Sequence, residues 1–174
     1  MLIKNLGQTR TTLLASFKDL TDEKINKKPS KDKWSISQVL YHLYMVEKDT
    51  AVLILNSLNM QSIKVEERDL SYLSDRSKKV KATVEPPVNF FTKKELIALL
   101  EEARFQYLQA IFNETHEKIL AEKSVEHPAF GLISLKNIVD FIWMHERRHL
   151  EQIEEIKEEL DANSTAEWSC DCGD

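Results

Sequence analysis

Glycine and proline are scarce, at three and four in 174 residues, too few for the many turns that an all-β fold of this length requires. Cysteine is nearly absent. Cys170 and Cys172 stand in the last five residues, where they can neither staple a core nor be positioned by rigid elements on both sides. Long hydrophobic runs are missing as well: no stretch approaches the roughly eighteen uninterrupted apolar residues of a membrane span. The start, Met1-Leu-Ile-Lys-Asn-Leu6, lacks the apolar run of a secretory signal. A cytoplasmic location without a membrane partner is therefore expected. Charge of one sign does not dominate either, since a net charge of −5 sets up no strong field toward nucleic acid or an anionic membrane. The local exception, Arg76-Ser-Lys-Lys-Val-Lys81, reads as solvated surface.

Charged residues at 30% and hydrophobic ones at 42% give the balance of a protein built from amphipathic helices. A chain of 174 residues buries a core without disulfides, and one bundle domain over 1–162 with a tail over 163–174 is expected. In the first helix, Leu6, Leu13, Phe17 and Leu20 recur at about helical spacing. A polar stretch ending at Pro29 closes it. Ser35-Ile-Ser-Gln38 fits a capping box that opens a second helix, with Val39, Leu43, Val46, Leu53 and Ile54 on its buried face and an end near Asn59. Residues 60–91 lack a clean period and contain Pro86-Pro87, which predicts a long crossover with a short helix around Glu66 to Lys79. Thr92-Lys-Lys-Glu95 is a second capping box, leading into Leu96, Leu99, Leu100, Ala103, Tyr107, Leu108 and Ile111. After a loop at His127-Pro-Ala-Phe-Gly131, Ser134 caps a fourth helix carrying Ile138, Phe141, Ile142, Ile153, Ile156 and Leu160. Four such stripes pack around a shared core as an all-α four-helix bundle, with the long crossover between the second and third helices.

Three histidines interrupt these stripes on their apolar side. His145 follows Ile142 by three residues, His149 precedes Ile153 by four, and His42 sits three after Val39 and four before Val46. Imidazoles four apart on one helix face reach a single ion. The alternative is ordinary core histidines, each satisfied by a neighbour. Unsatisfied buried polar groups cost about 1–3 kcal/mol apiece, and one metal ion serves all three nitrogens. His116 and His127 fall outside the stripes and read as surface residues. His145-Glu-Arg-Arg-His149 also matches the H-E-x-x-H zinc-protease pattern, with Glu146 as general base. That reading requires a cleft edged by a strand, for which the sequence offers no proper candidate, and His42 supplies a third ligand that the pattern does not contain.

Trp34-Ser-Ile-Ser-Gln-Val-Leu-Tyr-His42 resembles the tryptophan-led start of the second helix in the DinB/YfiT-like family, and His127-Pro-Ala-Phe-Gly131 followed by Leu135 to Ile153 resembles its final segment with an H-x-x-x-H pair. The resemblance spans residues 1 to 160. It implies a four-helix bundle, commonly a homodimer, in which His42, His145 and His149 hold a zinc, nickel or iron ion. It also implies transfer or isomerisation with low-molecular-weight thiols such as bacillithiol, or metal-dependent hydrolysis. The Cys170-Asp-Cys172 tail departs from the pattern.

Three neutral imidazoles leave an ion doubly positive with an open position, as in a catalytic site. A thiolate would bind there as the nucleophile. Glu146 is then a candidate proton acceptor or a surface partner, Arg147 a catalytic candidate, and Arg148 a candidate for binding the cofactor's carboxylates, with solvent exposure as the alternative for both arginines. Asp49, on the ligand face, orients an imidazole or faces solvent. Hydrolysis by activated water and a non-catalytic stress protein are the competing readings. Cys170-x-Cys172 is expected to be an exposed tail.

Overall fold

The structure is a computed structural model that describes residues 2–77 and 84–170, with backbone alone at 74 and 165–170. In chain order the elements are α1 (Leu2–Phe17), α2 (Asp22–Asn26), α3 (Ile36–Leu58), a 3-10 turn (Ser71–Ser74), α4 (Lys93–Glu102), a π-helical turn (Ala103–Leu108), α5 (Gln109–Glu114), α6 (Glu117–Glu122), β1 (Ser124–His127), β2 (Gly131–Ser134) and α7 (Leu135–Cys170). The bundle consists of α1, α3, the continuous α4–π–α5 rod and α7. Both capping boxes form. Ser35 accepts from the Gln38 backbone while Gln38 reaches back, and Thr92 and Glu95 do the same. Ser134 Oγ accepts from the Asn137 amide at 3.1 Å and opens α7 as expected.

The third bundle helix is not uniform. Its buried positions step from Leu96 to Leu100 to Ala103, then jump five residues to Leu108. A π turn takes up the extra residue, so the apolar stripe stays on one face across a spacing that an unbroken α-helix would rotate away. The loop expected around His127 is the turn of an antiparallel hairpin, in register from Ser124 opposite Ser134 to His127 opposite Gly131. Gly131 takes φ 64° there, which suits a residue without a Cβ. These strands correct the expectation that no strand lies near the H-E-x-x-H segment. They are four residues each, too short for a clear alternating pattern.

The crossover is laid along α7. Asn137 Oδ1 accepts from the Arg68 amide and Asn137 Nδ2 donates to the Arg68 carbonyl, both at 2.8 Å, and Leu70 is buried. In place of the expected helix over Glu66 to Lys79, only the Ser71–Ser74 turn is helical among the described residues. Lys78, Lys79 and Lys81 of the basic run lie outside them, as does Cys172. The backbone of α7 runs on past Ala162 to Cys170. No helix among the described residues is long and apolar enough to cross a membrane.

Two apolar clusters fill the bundle, one containing Leu13, Phe17, Leu43, Leu100 and Ile153, the other Leu6, Ala51, Leu108, Ile138 and Ile142. A charged layer separates them. Arg10 of α1, Glu47 of α3, Arg104 of the π turn and Glu146 of α7 are joined in one network, each lying along its helix between a residue of one cluster and a residue of the other. Arg10 Nε donates to Glu146 Oε1 at 2.5 Å and Arg10 Nη2 to Glu47 Oε2 at 2.6 Å. Arg104 donates to Glu47 Oε1 at 2.6 Å and to Glu146 Oε2 at 3.2 Å. Arg104 Nη2 also donates to Glu47 Oε2 at 3.1 Å, and Arg10 Nη1 and Arg104 Nη1 reach the carbonyls of Leu100 and Leu6, each at 2.7 Å. Two cations and two anions balance, so the layer carries no net charge, and every bundle helix contributes a member. A buried quartet of this kind adds little to stability against an apolar core of the same shape, but losing one member leaves an uncompensated charge.

A candidate metal centre

His42 leaves α3 and His145 and His149 leave α7 so that one nitrogen from each lies within 4.8 Å of the others. His42 Nε2 and His145 Nε2 are 3.3 Å apart, and His145 Nε2 and His149 Nε2 are 3.0 Å apart. Nitrogens bound at about 2.0–2.1 Å to one ion stand about 2.9–3.4 Å apart for angles between octahedral and tetrahedral, so this spacing is that of a ligand set. Hydrogen bonding alone does not satisfy it. A single N–H on His145 serves one of its two neighbours and leaves the other nitrogen unmatched.

The tautomer at His149 is set from outside the triad. Gln152, one turn further along α7, places Oε1 2.7 Å from His149 Nδ1, and the same oxygen accepts from Arg76 Nη1 at 3.4 Å. An amide oxygen only accepts, so Nδ1 carries the hydrogen and Nε2 keeps its lone pair for a cation. The imidazoles are also held neutral. Burial lowers His42 to about 4, against a partial opposing pull from Glu85. Burial and the nearby His42 lower His149 to about 3. His145 falls well below its ordinary value through burial and the adjacent His149 and His42. Three neutral donors, with His145 at ligand spacing from both of its partners, fit a divalent transition metal ion.

Aromatic rings frame the triad. The Trp34 ring lies 5.2 Å from that of His42 and donates from Nε1 to Glu85 Oε2 at 2.7 Å, which brings a carboxylate of the crossover toward the centre. Phe141 lies 5.1 Å from His145 and packs edge-on against Phe130, on which His127 stacks at 4.7 Å. His127 is therefore half-buried rather than the surface residue its loop position suggests, whereas His116 is exposed.

The other candidates go elsewhere. Glu146 is 2% exposed and both its oxygens are engaged by Arg10 and Arg104, so it is neither a surface partner nor a carboxylate turned toward the histidines. One residue past His145 on a helix is about 100° of rotation, and that turn carries it into the charged layer. Burial raises its carboxyl, an effect that the two guanidiniums oppose. Arg147 is exposed and lines a shallow groove of about 330 Å³ with Gln8, Thr12 and Glu154, on the α1 side of α7. Arg148 donates from Nη1 to the carbonyls of Leu73 and Asp75, fastening the crossover. Asp49 is exposed. Gln152, Arg76, Trp34 and Glu85 are what the reading of the sequence missed as a surround for the triad; the one local signal was Gln152 three residues after His149, on the same helix face.

Comparison with known proteins agrees with this architecture. The family model described as the DinB superfamily matches residues 5–153. A Bacillus subtilis (strain 168) protein named "Uncharacterized protein YuaE" is 35% identical over 158 residues, covering 89% of this chain and 96% of its own. A solved structure described as "YfiT from Bacillus subtilis is a probable metal-dependent hydrolase with an unusual four-helix bundle topology" superposes with a TM-score of 0.65 at 18% identity, over 92% of this chain and 86% of the other. Another, "TT2238, a four-helix bundle protein", gives a TM-score of 0.61 at 20% identity, over 88% and 96%. With a family model spanning most of its length and a relative matched nearly end to end, the chain belongs to the DinB superfamily.

Proposed function

We propose that this protein is a divalent-metal-dependent enzyme in which His42, His145 and His149 hold one zinc, nickel or iron ion and a low-molecular-weight thiol of the bacillithiol kind is transferred to an electrophile. The observation that carries the thiol reading is the engagement of Glu146. With both oxygens bound by arginines, it does not act as the base that a water-based reaction takes from H-E-x-x-H. Bound at the triad, such an ion supplies a doubly positive centre with an open position, which ionises a thiol near neutral pH without a separate base.

The chain's own residues hold that position. Gln152 fixes the ring of His149, while Trp34 and Phe141 pack against the His42 and His145 rings. In the transfer, the sulfur gains a bond to the electrophilic carbon, the thiol proton passes to solvent, and a leaving group departs with its electron pair. Glu85 is a carboxylate whose charge reaches His42, and it favours a second reading, hydrolysis, with Glu85 as proton acceptor. The similarity to the YfiT structure, a probable metal-dependent hydrolase, supports the same alternative.

Elemental mass spectrometry on untagged protein, native and His42→Ala, tests the centre. Near-stoichiometric metal that is largely lost in the variant is expected. Metal absent after reconstitution, or unaffected by the substitution, removes the centre from consideration. Loaded protein is then offered bacillithiol, mycothiol or glutathione with an electrophile, and separately an ester. Thiol consumption supports transfer, and ester cleavage without thiol consumption moves the reading to hydrolysis.

A further inference from the structure

We propose that Gln152 is a positioning residue for the metal centre and that Arg76 of the crossover selects its working orientation, so that ligand geometry and crossover docking are linked; this rests on the three-histidine metal reading above. A glutamine side chain presents a carbonyl or an NH2 depending on how its amide is turned. Turned as it is here, Oε1 accepts from His149 Nδ1 at 2.7 Å and His149 keeps its Nε2 lone pair toward His145. Turned the other way, the NH2 would face Nδ1, the ring hydrogen would move to Nε2, and His149 could no longer ligate an ion with its converging nitrogen.

Arg76 decides between the two. Its Nη1 donates to the same Oε1 at 3.4 Å, and a guanidinium offers only donors, so it opposes the NH2 at that position. Arg76 is itself held in place, donating to both oxygens of Glu155 at 3.3 and 2.6 Å, with its side chain 19% exposed. Arg148 fastens the same stretch of crossover through the carbonyls of Leu73 and Asp75. A segment far from the histidines in sequence thus sets the tautomer of one of them. By thermodynamic reciprocity, an ion at the triad strengthens the hold of α7 on the crossover.

The test is competition of full-length apoprotein against a chromophoric chelator for zinc, for wild type, Gln152→Leu, Gln152→Glu, Arg76→Ala and the double variant Gln152→Leu/Arg76→Ala. Gln152→Leu should weaken zinc binding about 10–100-fold, the usual cost of removing a group that orients a ligating histidine. Its helical circular dichroism should be unchanged. Gln152→Glu, which keeps an acceptor for both Nδ1–H and Arg76, should bind close to wild type. Arg76→Ala should weaken binding by a smaller factor, with no further loss in the Gln152→Leu background, because both act through one amide. Nitrogen-15 spectra of the apoproteins should show His149 with its hydrogen on Nδ1 in wild type and on Nε2 in a substantial fraction of Arg76→Ala. Zinc affinity within twofold of wild type in Gln152→Leu, or losses that add in full in the double variant, would overturn the proposal. Wild-type protein that binds no zinc would instead remove the metal reading itself, and this inference with it.

Discussion

His145 and Glu146 are neighbours in the chain and belong to different assemblies. His145 Nε2 stands 3.0 Å from His149 Nε2, while Glu146 Oε1 stands 2.5 Å from Arg10 Nε inside the charged layer. The five-residue H-E-x-x-H pattern thus places its histidines and its glutamate on two faces of α7, with the glutamate closing a quartet drawn from all four bundle helices.

Glu146→Gln should therefore act on stability before it acts on chemistry. The substitution leaves Arg10 and Arg104 sharing a single carboxylate in a buried layer, and breaking such a pair costs about 3–5 kcal/mol. Urea denaturation should show a lowered midpoint with unchanged slope, while protein folded at low temperature keeps its metal. A variant as stable as wild type but devoid of turnover would return Glu146 to the role of base.

The helices were legible because their signals are local. Both capping boxes were written in the sequence and both form, and the three histidines were conspicuous because each broke an apolar stripe. The quartet had the same signal, unread. Arg10 falls between Leu6 and Leu13, Glu47 four residues after Leu43, and Glu146 four after Ile142, each a charge on a buried face. The π turn was hidden because its only trace is a five-residue step from Ala103 to Leu108 among other leucines and a tyrosine that fill in a helical pattern. Of the surround of the triad, only Gln152 was legible, three residues after His149 on the same helix face. Arg76 and Glu85 reach it from a crossover whose path is decided by tertiary contacts such as Arg68 with Asn137 and Trp34 with Glu85, which no local period encodes.

Gly131→Ala probes the hairpin that carries Phe130 against Phe141. Space is not the obstacle, since an added Cβ would meet Glu126 Oε1 at 3.7 Å, an ordinary contact. The cost is conformational: φ of 64° is disfavoured for a residue with a Cβ by about 1–2 kcal/mol. Thermal unfolding should register that loss, and Gly131→Asn should lose less, because a short polar side chain tolerates the left-handed region. Equal stability of all three proteins would mean that the turn relaxes without penalty.

Removal of residues 165–174 should leave metal content per chain unchanged. Among the described residues, contacts that tie the far end of α7 to the rest of the bundle fall before the cut: Lys33 with Glu159, Lys24 with Asp161, and Asn163 with the Pro29 carbonyl. His149 lies more than four turns of helix upstream of it, at about 3.6 residues per turn. Elemental analysis of the truncated protein checks this. Loss of metal on truncation would bring Cys170 or Cys172 into the ligand set.

Acid should destabilise the metal-free protein in a window set by the histidines. Their ordinary value is 6.5, and folding lowers His42 to about 4 and His149 to about 3, with His145 also well below 6.5. At pH 5 the unfolded chain therefore holds protons on these rings that the folded chain does not, so the unfolding free energy rises with pH there. The stability they contribute is present above about pH 6.5 and is lost as pH falls toward 4 and then 3. Urea midpoints of chelator-treated protein between pH 7.5 and 4.5 should decline accordingly. His149→Leu, which removes one of the protonating groups, should flatten the slope relative to wild type. An equally steep decline in that variant would show that protonation of His149 does not set the acid lability.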